Sequence, residues 1–264
     1  MPDLQYLGGF QMKSQAVDSI YFKELRSVSG RLNVTAQGSE TGASAGAHVL
    51  FPKLKDAGAV HIEAGQVLIN FLSLETVQGD LILSGNPKAP LPALQSAGFI
   101  RIQGTPSFIH LPSLRTAGPP SGPTALSTGS GMDINQGDLG ISLEIPLLEA
   151  VVGELSIQGT IISLELPSLE TVSGALHFSV LSSVDLPELR SATEIELEGQ
   201  IDQLVFFLPV LSLWAILYWP LSMFPRATFS FSLSTPAHAS APRDSTRLTN
   251  QSNTLIGPIF RSSI

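Results

Sequence analysis

A seven-residue motif recurs nine times along residues 1–205 and restricts the fold more than any other feature of this chain. The motif reads apolar–Pro–x–Leu–x–x–(Ala, Val or Leu), and most copies begin 20 or 21 residues after the previous one. A unit of this length cannot bury its own apolar face, so each copy must stack on its neighbours. The copies are MPDLQYL at 1, FKELRSV at 22, FPKLKDA at 51, FLSLETV at 71, LPALQSA at 91, LPSLRTA at 111, IPLLEAV at 145, LPSLETV at 166 and LPELRSA at 186.

Two stretches within each repeat place apolar residues at every second position. One follows a glycine, as in Leu176 and Phe178, and the other leads into the next motif, as in Leu164 and Leu166. This alternation is typical of a half-buried strand. Two strands and two tight turns in each repeat predict an all-β fold, a right-handed parallel β-solenoid over residues 1–205.

Two long intervals, of 29 and 34 residues, interrupt the regular spacing. They contain the segments 36–48 and 118–140, in which Gly, Ser and Pro dominate. Such composition is expected where a loop leaves a regular coil. Both segments are therefore predicted to be loop-like insertions.

Small polar residues recur five positions after the start of most repeats. Stacked coils would bring them into one row along the solenoid. The row either satisfies backbone amides at the turns or forms a line of hydroxyls that binds a ligand. Its members are Ser27, Asp56, Thr76, Ser96, Thr116, Thr171 and Ser191, with Tyr6 and Ala150 as exceptions.

Composition and charge exclude several classes of function. The chain has no cysteine, which rules out disulfides, cysteine-based zinc sites and thiol nucleophiles. Residues 1–205 contain 21 acidic and 10 basic residues, whereas residues 206–264 contain one acidic residue and four arginines. Nucleic-acid binding normally requires a basic face, so the acidic body argues against nucleic acid as a partner.

The sequence contains no motif of a nucleophile elbow, a P-loop, a dinucleotide site or a zinc site. We therefore predict a protein without catalytic, cofactor-binding or metal-binding residues. The alternative is a β-helix polysaccharide lyase or hydrolase, which would collect carboxylates from adjacent coils. Glu194, Glu196 and Glu198 form an acidic stripe on one strand, with His177 predicted opposite its centre. A solvated strand face explains this stripe better.

Two triplets, at Asn33 and at Asn250, fit the acceptor pattern for N-glycosylation. Asn33 stands between the apolar residues Leu32 and Val34, so its side chain is expected to point outward. This makes Asn33 the better candidate of the two if the protein enters the secretory pathway.

The repeats resemble the receptor L-domain-like, leucine-rich repeats of fungal GPI-anchored cell-wall organisation proteins. The segments 166–178 (LPSLETVSGALHF) and 145–159 (IPLLEAVVGELSIQG) carry this resemblance most clearly, and it extends over residues 1–205. It implies a non-catalytic glycoprotein on the extracellular face of the plasma membrane or in the wall. Wall polysaccharide or wall proteins would be its partners, and the second hypothesis is a receptor-type binding module.

Both termini depart from that family. The start, MPDLQYLGGF, lacks the features of a signal peptide and reads like the middle of a repeat, and the end, GPIFRSSI, lacks a GPI signal. These features indicate an imperfect gene model, with any lipid anchor missing from the chain.

The repeat pattern fails at the apolar segment 206–226. The stretch 204–224 carries no charge and is long enough to cross a bilayer. Membrane association through 204–224, translated non-coding sequence and a buried end cap are the three interpretations. The Ser/Thr/Pro-rich segment 227–264 is predicted to be disordered.

Overall fold

The computed structural model describes residues 4–14, 19–36, 47–104, 108–119, 131–136, 141–179, 183–198, 203–206 and 229–232. Every regular element in these residues is a β-strand. In chain order the strands are β1 (Tyr6–Leu7), β2 (Phe10–Ser14), β3 (Ser19–Tyr21), β4 (Ser27–Ala36), β5 (Ala47–Leu50), β6 (Asp56–Asn70), β7 (Thr76–Pro90), β8 (Ser96–Gly104), β9 (Phe108–His110), β10 (Thr116–Ala117), β11 (Gly131–Gln136), β12 (Ile141–Glu144), β13 (Ala150–Val151), β14 (Glu154–Gln158), β15 (Ile161–Glu165), β16 (Thr171–Val172), β17 (Ala175–Ser179), β18 (Ser183–Leu186), β19 (Glu194–Glu198), β20 (Gln203–Phe206) and β21 (Phe229–Ser232).

The strands form the coils of a parallel β-solenoid, as the repeats predict. β7 pairs in parallel with β6 on one side and with β8 on the other. The same parallel pairing continues from β2 through β4 at one end to β17 and β19 at the other. Equivalent positions of successive repeats are therefore direct neighbours, separated by the spacing of adjacent strands, about 4.8 Å.

Each coil has three walls. The first wall is short and contains β1, β10, β13, β16 and the first residues of β4, β6, β7 and β8. The second wall, named here the broad face, contains β2, β11, β14, β17, β19, the last residues of β4 and β8 and the central parts of β6 and β7. The third wall contains β3, β5, β9, β12, β15, β18, β20 and the last residues of β6 and β7, and four of its strands form a separate sheet in the order β12-β15-β18-β20.

The motif itself forms the corner between the third wall and the first. The amide of Leu74 donates to the carbonyl oxygen of Phe71 at 3.2 Å, and that of Leu94 donates to Leu91 at 3.3 Å. A proline after the first apolar residue suits this four-residue turn, because the second position of the turn has φ near −60° and its amide need not donate. The motif leucines point inward, and those from Leu25 to Leu189 are fully buried at every corner described.

The core is a continuous column of apolar side chains from successive coils. Phe22 stacks on Phe51 with ring centroids 5.4 Å apart, and Phe51 stacks on Phe71 at 5.6 Å. The predicted inward residues Leu164 and Leu176 have no exposed surface. The alternating pattern in the sequence therefore gives the correct register of the strands.

The first wall was not predicted as a strand. Each coil was expected to have two strands, but segments such as Thr116–Ala117 pair with both neighbouring coils. A two-residue strand is too short to show any periodicity, so the sequence pattern could not reveal it.

The prediction of one insertion over 118–140 is wrong in its bounds. Gly131–Gln136 forms strand β11, which lies in register between β8 and β14. The amide of Gly118 also keeps its bond to the carbonyl oxygen of Ala97, at 2.8 Å. Residues 120–130 and 137–140 lie outside the described residues, so the extra chain is divided by a regular strand.

The bounds of the other predicted segments, 36–48 and 204–224, also differ between the sequence prediction and the structure. Ala36 ends β4, and the residues 47–48 belong to β5, so the insertion 36–48 narrows to 37–46, outside the described residues. At the far end β20 pairs with β18 up to Phe206, so the stack includes the first residues of the stretch 204–224. Residues 207–228 lie outside the described residues, and so the interpretations of 206–226 remain open.

The tail prediction is wrong for four residues. Phe229–Ser232, within the segment 227–264, forms β21, which pairs antiparallel with β19 at the end of the stack. Alternating Phe and Ser over these residues is a strand pattern, but the surrounding Ser/Thr/Pro-rich composition obscured it. The rest of the segment lies outside the described residues.

Candidate ligand-binding face

The broad face presents polar side chains to solvent along successive coils. Along each of its strands apolar residues point into the core and the residues between them point outward, as in Leu155 and Ile157, which flank Ser156. Because the coils stack in register, the outward residues form straight rows that run along the solenoid. Two of these rows carry most of the hydrogen-bonding side chains.

The outer row of the broad face consists largely of uncharged polar residues. Ser84 pairs in register with Gln103, Gln103 with Asn135, and Asn135 with Gln158. Amides and hydroxyls both donate and accept hydrogen bonds, so this row can bind hydroxyl-rich ligands without neutralising a charge. The amides of Gln103, Asn135 and Gln158 stand on consecutive strands and so form a regular array at about 4.8 Å spacing.

The central row has a charged pair in the middle of the stack. Arg101 Nε donates to Asp133 Oδ2 at 3.0 Å, and both side chains are partly exposed. The Arg101 guanidinium also lies over the ring of Phe99, 4.9 Å from its centroid. The ring is buried beneath the guanidinium, and this cation–π contact together with the ion pair fixes the direction of the arginine side chain.

The same row continues through Ser156, His177 and Glu196, which are register partners as the repeat alignment predicts. His177 Nδ1 lies 3.0 Å from Glu196 Oε2. The buried hydroxyl of Ser156 accepts a hydrogen bond from Gln158 Nε2 at 3.2 Å. Within the described residues Ser156 and His177 form no hydrogen bond, so this row lacks the contact between a nucleophile and its base.

The acidic stripe on β19 is a short row of carboxylates on the last coil. Ala175 lies opposite Glu194, and Glu196 faces His177 on the neighbouring strand. Among the described residues no three His, Asp or Glu side chains come together in a cluster that could hold a metal ion. In the same part of the chain no helix is long and apolar enough to cross a membrane.

Asn33, the glycosylation candidate, lies on β4 within the broad face. Its strand neighbours in register are Gln11 and His61. The side chain points outward as predicted, but its Oδ1 atom is buried without a hydrogen-bond partner among the described residues. Glycosylation of Asn33 stays a prediction, and the other candidate, Asn250, lies outside the described residues.

The row of small polar residues on the first wall is confirmed as a geometric feature. Ser96, for example, lies in register between Thr76 and Thr116. None of the row's hydroxyls bonds to another described residue, so the proposed role in satisfying turn amides is not seen there. Hydroxyls elsewhere do bond between coils: those of Ser73, Ser113 and Ser168 donate to the proline carbonyl oxygen of the preceding coil at 2.6–2.7 Å, and that of Ser173 accepts from the Gly153 amide at 2.8 Å.

The corner serines Ser73, Ser113 and Ser168 occupy the third position of the motif, directly after Pro or Leu. The recurring LPSL motif points to the corner serine in the sequence. The carbonyl oxygen that its hydroxyl bonds to belongs to another coil, so the bond is seen only once the coils are stacked. The carbonyl oxygen that receives the bond would otherwise lack a partner at the turn.

Charged residues at the corners pair between coils. Lys53 bonds to Glu24 at 2.7 Å, and this bond lowers the pKa of the Glu24 carboxyl. Lys55 bonds to Glu75 at 2.8 Å, which raises the pKa of the Lys55 ammonium. The corners therefore offer a ligand mostly paired charges, in contrast to the uncharged run Ser84, Gln103, Asn135 and Gln158 in the outer row of the broad face.

Both insertions join the chain at the edges of the broad face. The segment 37–46 begins where β4 leaves that face, after Ala36, and the segment 120–130 ends where β11 enters it, at Gly131. The two points lie on opposite edges and four coil steps apart, about 19 Å along the stack. The broad face is thus the one described surface that both insertions border.

No protein-family model matches the chain, and no curated protein and no solved structure matches it.

Proposed function

We propose that this protein is a non-catalytic cell-surface scaffold that supports fungal cell-wall organisation by binding wall polysaccharide along its broad face. The observation that carries the proposal is the in-register row Ser84, Gln103, Asn135 and Gln158. The resemblance of the LPSLETV-type repeats to cell-wall organisation proteins supports the location. Wall proteins are the other class of partner that this location suggests.

An uncharged polysaccharide suits this row because both are extended and regular. Each sugar presents hydroxyls that donate and accept, and each Asn or Gln side chain offers a carbonyl oxygen and two N–H donors. A rigid sheet holds these amides in place before binding, so little side-chain entropy is lost when the ligand binds. A ligand spread over several coils would then accumulate many weak contacts.

The non-catalytic part of the proposal is supported by the contacts of the candidate catalytic groups. The Ser156 hydroxyl is buried and bonded to Gln158, and Glu196 is bonded to His177. Hydrolysis of a glycosidic bond uses two carboxyl groups on opposite sides of the bond. Among the carboxylates of the described broad face, Asp133 lies in an ion pair, Asp80 is buried, Glu63 and Glu154 lie on separate strands, β6 and β14, and three glutamates form the stripe on β19.

A receptor-type binding module is the second candidate function. The positions of Ala36 and Gly131 favour it, because the insertions 37–46 and 120–130 meet the broad face at opposite edges. In a receptor-type module the two insertions would determine which ligand binds, and the polar rows of the broad face would contribute affinity that does not depend on the identity of the ligand.

Binding of the purified chain to insoluble β-glucan and chitin tests the proposal. We expect the double variant Gln103→Ala/Asn135→Ala to bind about tenfold or more weakly, since each lost hydrogen bond contributes about 1 kcal/mol. The matched control is Gln95→Ala, which removes an exposed amide at a corner, away from the broad face. Circular dichroism should be the same for all three proteins.

Equal binding by the double variant and by the wild type would contradict a role for this row. Release of reducing ends from either polysaccharide would contradict the non-catalytic proposal. Loss of binding on deletion of residues 120–130, with the double variant unaffected, would favour the receptor-type module.

A further inference from the structure

The centre of the broad face holds a cation whose direction is fixed. The Arg101 guanidinium lies over the ring of Phe99, 4.9 Å from its centroid, and its Nε donates to Asp133 Oδ2 at 3.0 Å. Among the described residues the arginine and the aspartate are joined through these two atoms, which leaves the Nη groups and Oδ1 to a ligand. The two side chains are 40% and 26% exposed. A positioned donor and a positioned acceptor therefore stand side by side on neighbouring strands.

The residues around this pair suit one sugar ring. Ile82 is the register partner of Arg101 on β7, and it presents a half-buried apolar side chain in the same central row. Gln103 and Asn135 stand two residues after Arg101 and Asp133 on the same strands, and so on the same side of the sheet. Ligand sites commonly combine an apolar surface with a few positioned polar groups. Here the apolar surface would contact the C–H groups of a sugar, and the polar groups would bind its hydroxyls.

The charges of the pair favour a neutral ligand. An anionic sugar would face the Asp133 carboxylate, and residues 1–205 contain 21 acidic residues against 10 basic ones, so the body repels anions. A neutral sugar with hydroxyls on two adjacent carbons matches the pair, because one hydroxyl can donate to Oδ1 of Asp133 while its neighbour accepts from Nη of Arg101. Hydrogen bonds to charged groups are stronger than those to neutral amides. The pair would therefore distinguish ligands more sharply than the uncharged amides beside it.

We propose that Arg101 and Asp133 determine the specificity of the broad face by binding two adjacent hydroxyls of one unit in a neutral polysaccharide. The inference rests on the proposed function, since it assigns selectivity to the same face. Cellulose carries such hydroxyls on the second and third carbons of each unit. Chitin has the same linkage but an acetamide in place of the hydroxyl on the second carbon. The protein therefore prefers a β-glucan with free adjacent hydroxyls to chitin.

Isothermal titration calorimetry of the full chain with the hexasaccharides of cellulose and of chitin tests this inference. We expect the wild type to bind the cellulose hexasaccharide about tenfold or more tightly than the chitin hexasaccharide, and Arg101→Gln and Asp133→Asn each to reduce this preference to about threefold or less. Gln103→Ala/Asn135→Ala should instead weaken the binding of both ligands and keep the preference. Arg115→Gln is the matched control, because it removes an ion pair between coils, with Glu149, at a corner away from the broad face. It should bind like the wild type.

The charge swap Arg101→Asp/Asp133→Arg separates ligand binding from structural support. It restores an ion pair between the same two strands, so thermal melts should recover any stability lost in the single variants. The preference for the cellulose hexasaccharide should stay lost, because the guanidinium no longer starts beside Phe99. Recovery of the preference by the swap, equal binding of both hexasaccharides by the wild type, or binding of neither would each overturn the inference. The proposed function would fail with it only if insoluble β-glucan and chitin were also not bound.

Discussion

Where the third position of the corner motif is serine, its hydroxyl connects that coil to the one before it. Ser113 Oγ donates to the carbonyl oxygen of Pro92 at 2.6 Å, and Ser168 bonds in the same way to Pro146. Such a bond satisfies a turn carbonyl that strand pairing does not reach. The hydroxyls of the first wall, although more regular in the sequence, have no partner among the described residues. A hydroxyl that recurs regularly in the sequence, as on the first wall, is therefore not for that reason one that bonds between coils.

Ser113→Ala should lower the free energy of unfolding by about 1 kcal/mol, because it leaves the Pro92 carbonyl without its donor. Ser96→Ala removes a hydroxyl that makes no such bond and should change stability by less than about 0.5 kcal/mol. Urea denaturation followed by circular dichroism measures both. Equal effects of the two substitutions would show that the corner bond adds no stability.

At the scale of the element, the sequence predicts the strands of the broad face and of the third wall, because apolar residues stand at every second position along them. It does not predict the two-residue strands of the first wall, because they are too short to show an alternation of apolar and polar residues. The sequence also does not predict β11, because residues 120–130 separate this strand from the corner motif at 111 that precedes it. Gly131 has φ of 96°, and a Cβ there would lie 2.0 Å from the carbonyl oxygen of Glu154, so glycine is required at this entry to the face.

The row Ser84, Gln103, Asn135 and Gln158 could be predicted only in part. The register of the repeats gives the neighbours of Gln103, but Asn135 lies inside the segment 118–140, which the sequence predicts to be a loop-like insertion. The pairing of Arg101 with Asp133 was hidden for the same reason. Long-range neighbours on a solenoid follow from the repeat spacing only where every strand is recognised.

Deletion of residues 120–130 should leave the solenoid folded, because the strands on either side of the deletion, β10 and β11, keep their register partners in the neighbouring coils. Deletion of 118–140 removes β11 as well, and β8 would lose the strand that separates it from β14. We expect the shorter deletion to keep the circular dichroism spectrum and a cooperative melt, and the longer one to lose both. Unfolding of both variants would show that 120–130 contributes to the stack itself.

At the scale of the whole molecule, stability comes from contacts between neighbouring coils, because a coil has no core of its own. The leucines and the column of phenylalanines form one continuous core through the described stack. A defect in the middle therefore removes support from the coils on both sides. The ends are unequal, since one is covered by β21 and the other leaves Phe10 and Met12 partly exposed.

Leu176→Asp should unfold the stack around β17, because it buries a charge with no partner among fully buried neighbours, at a cost of several kcal/mol. The control Thr193→Asp places the same charge on an exposed residue one coil away and should melt like the wild type. Thermal melts followed by circular dichroism distinguish the two. An unchanged melt for Leu176→Asp would contradict the inward register.

The strands run around the coil, so the hydrogen bonds that join one coil to the next all lie parallel to the long axis. Tension applied along that axis pulls on the hydrogen bonds between one pair of coils at a time. It does not shear all the strands of a sheet past each other at once. We therefore expect a chain pulled along this axis to extend in steps of one coil, which single-molecule force spectroscopy would measure.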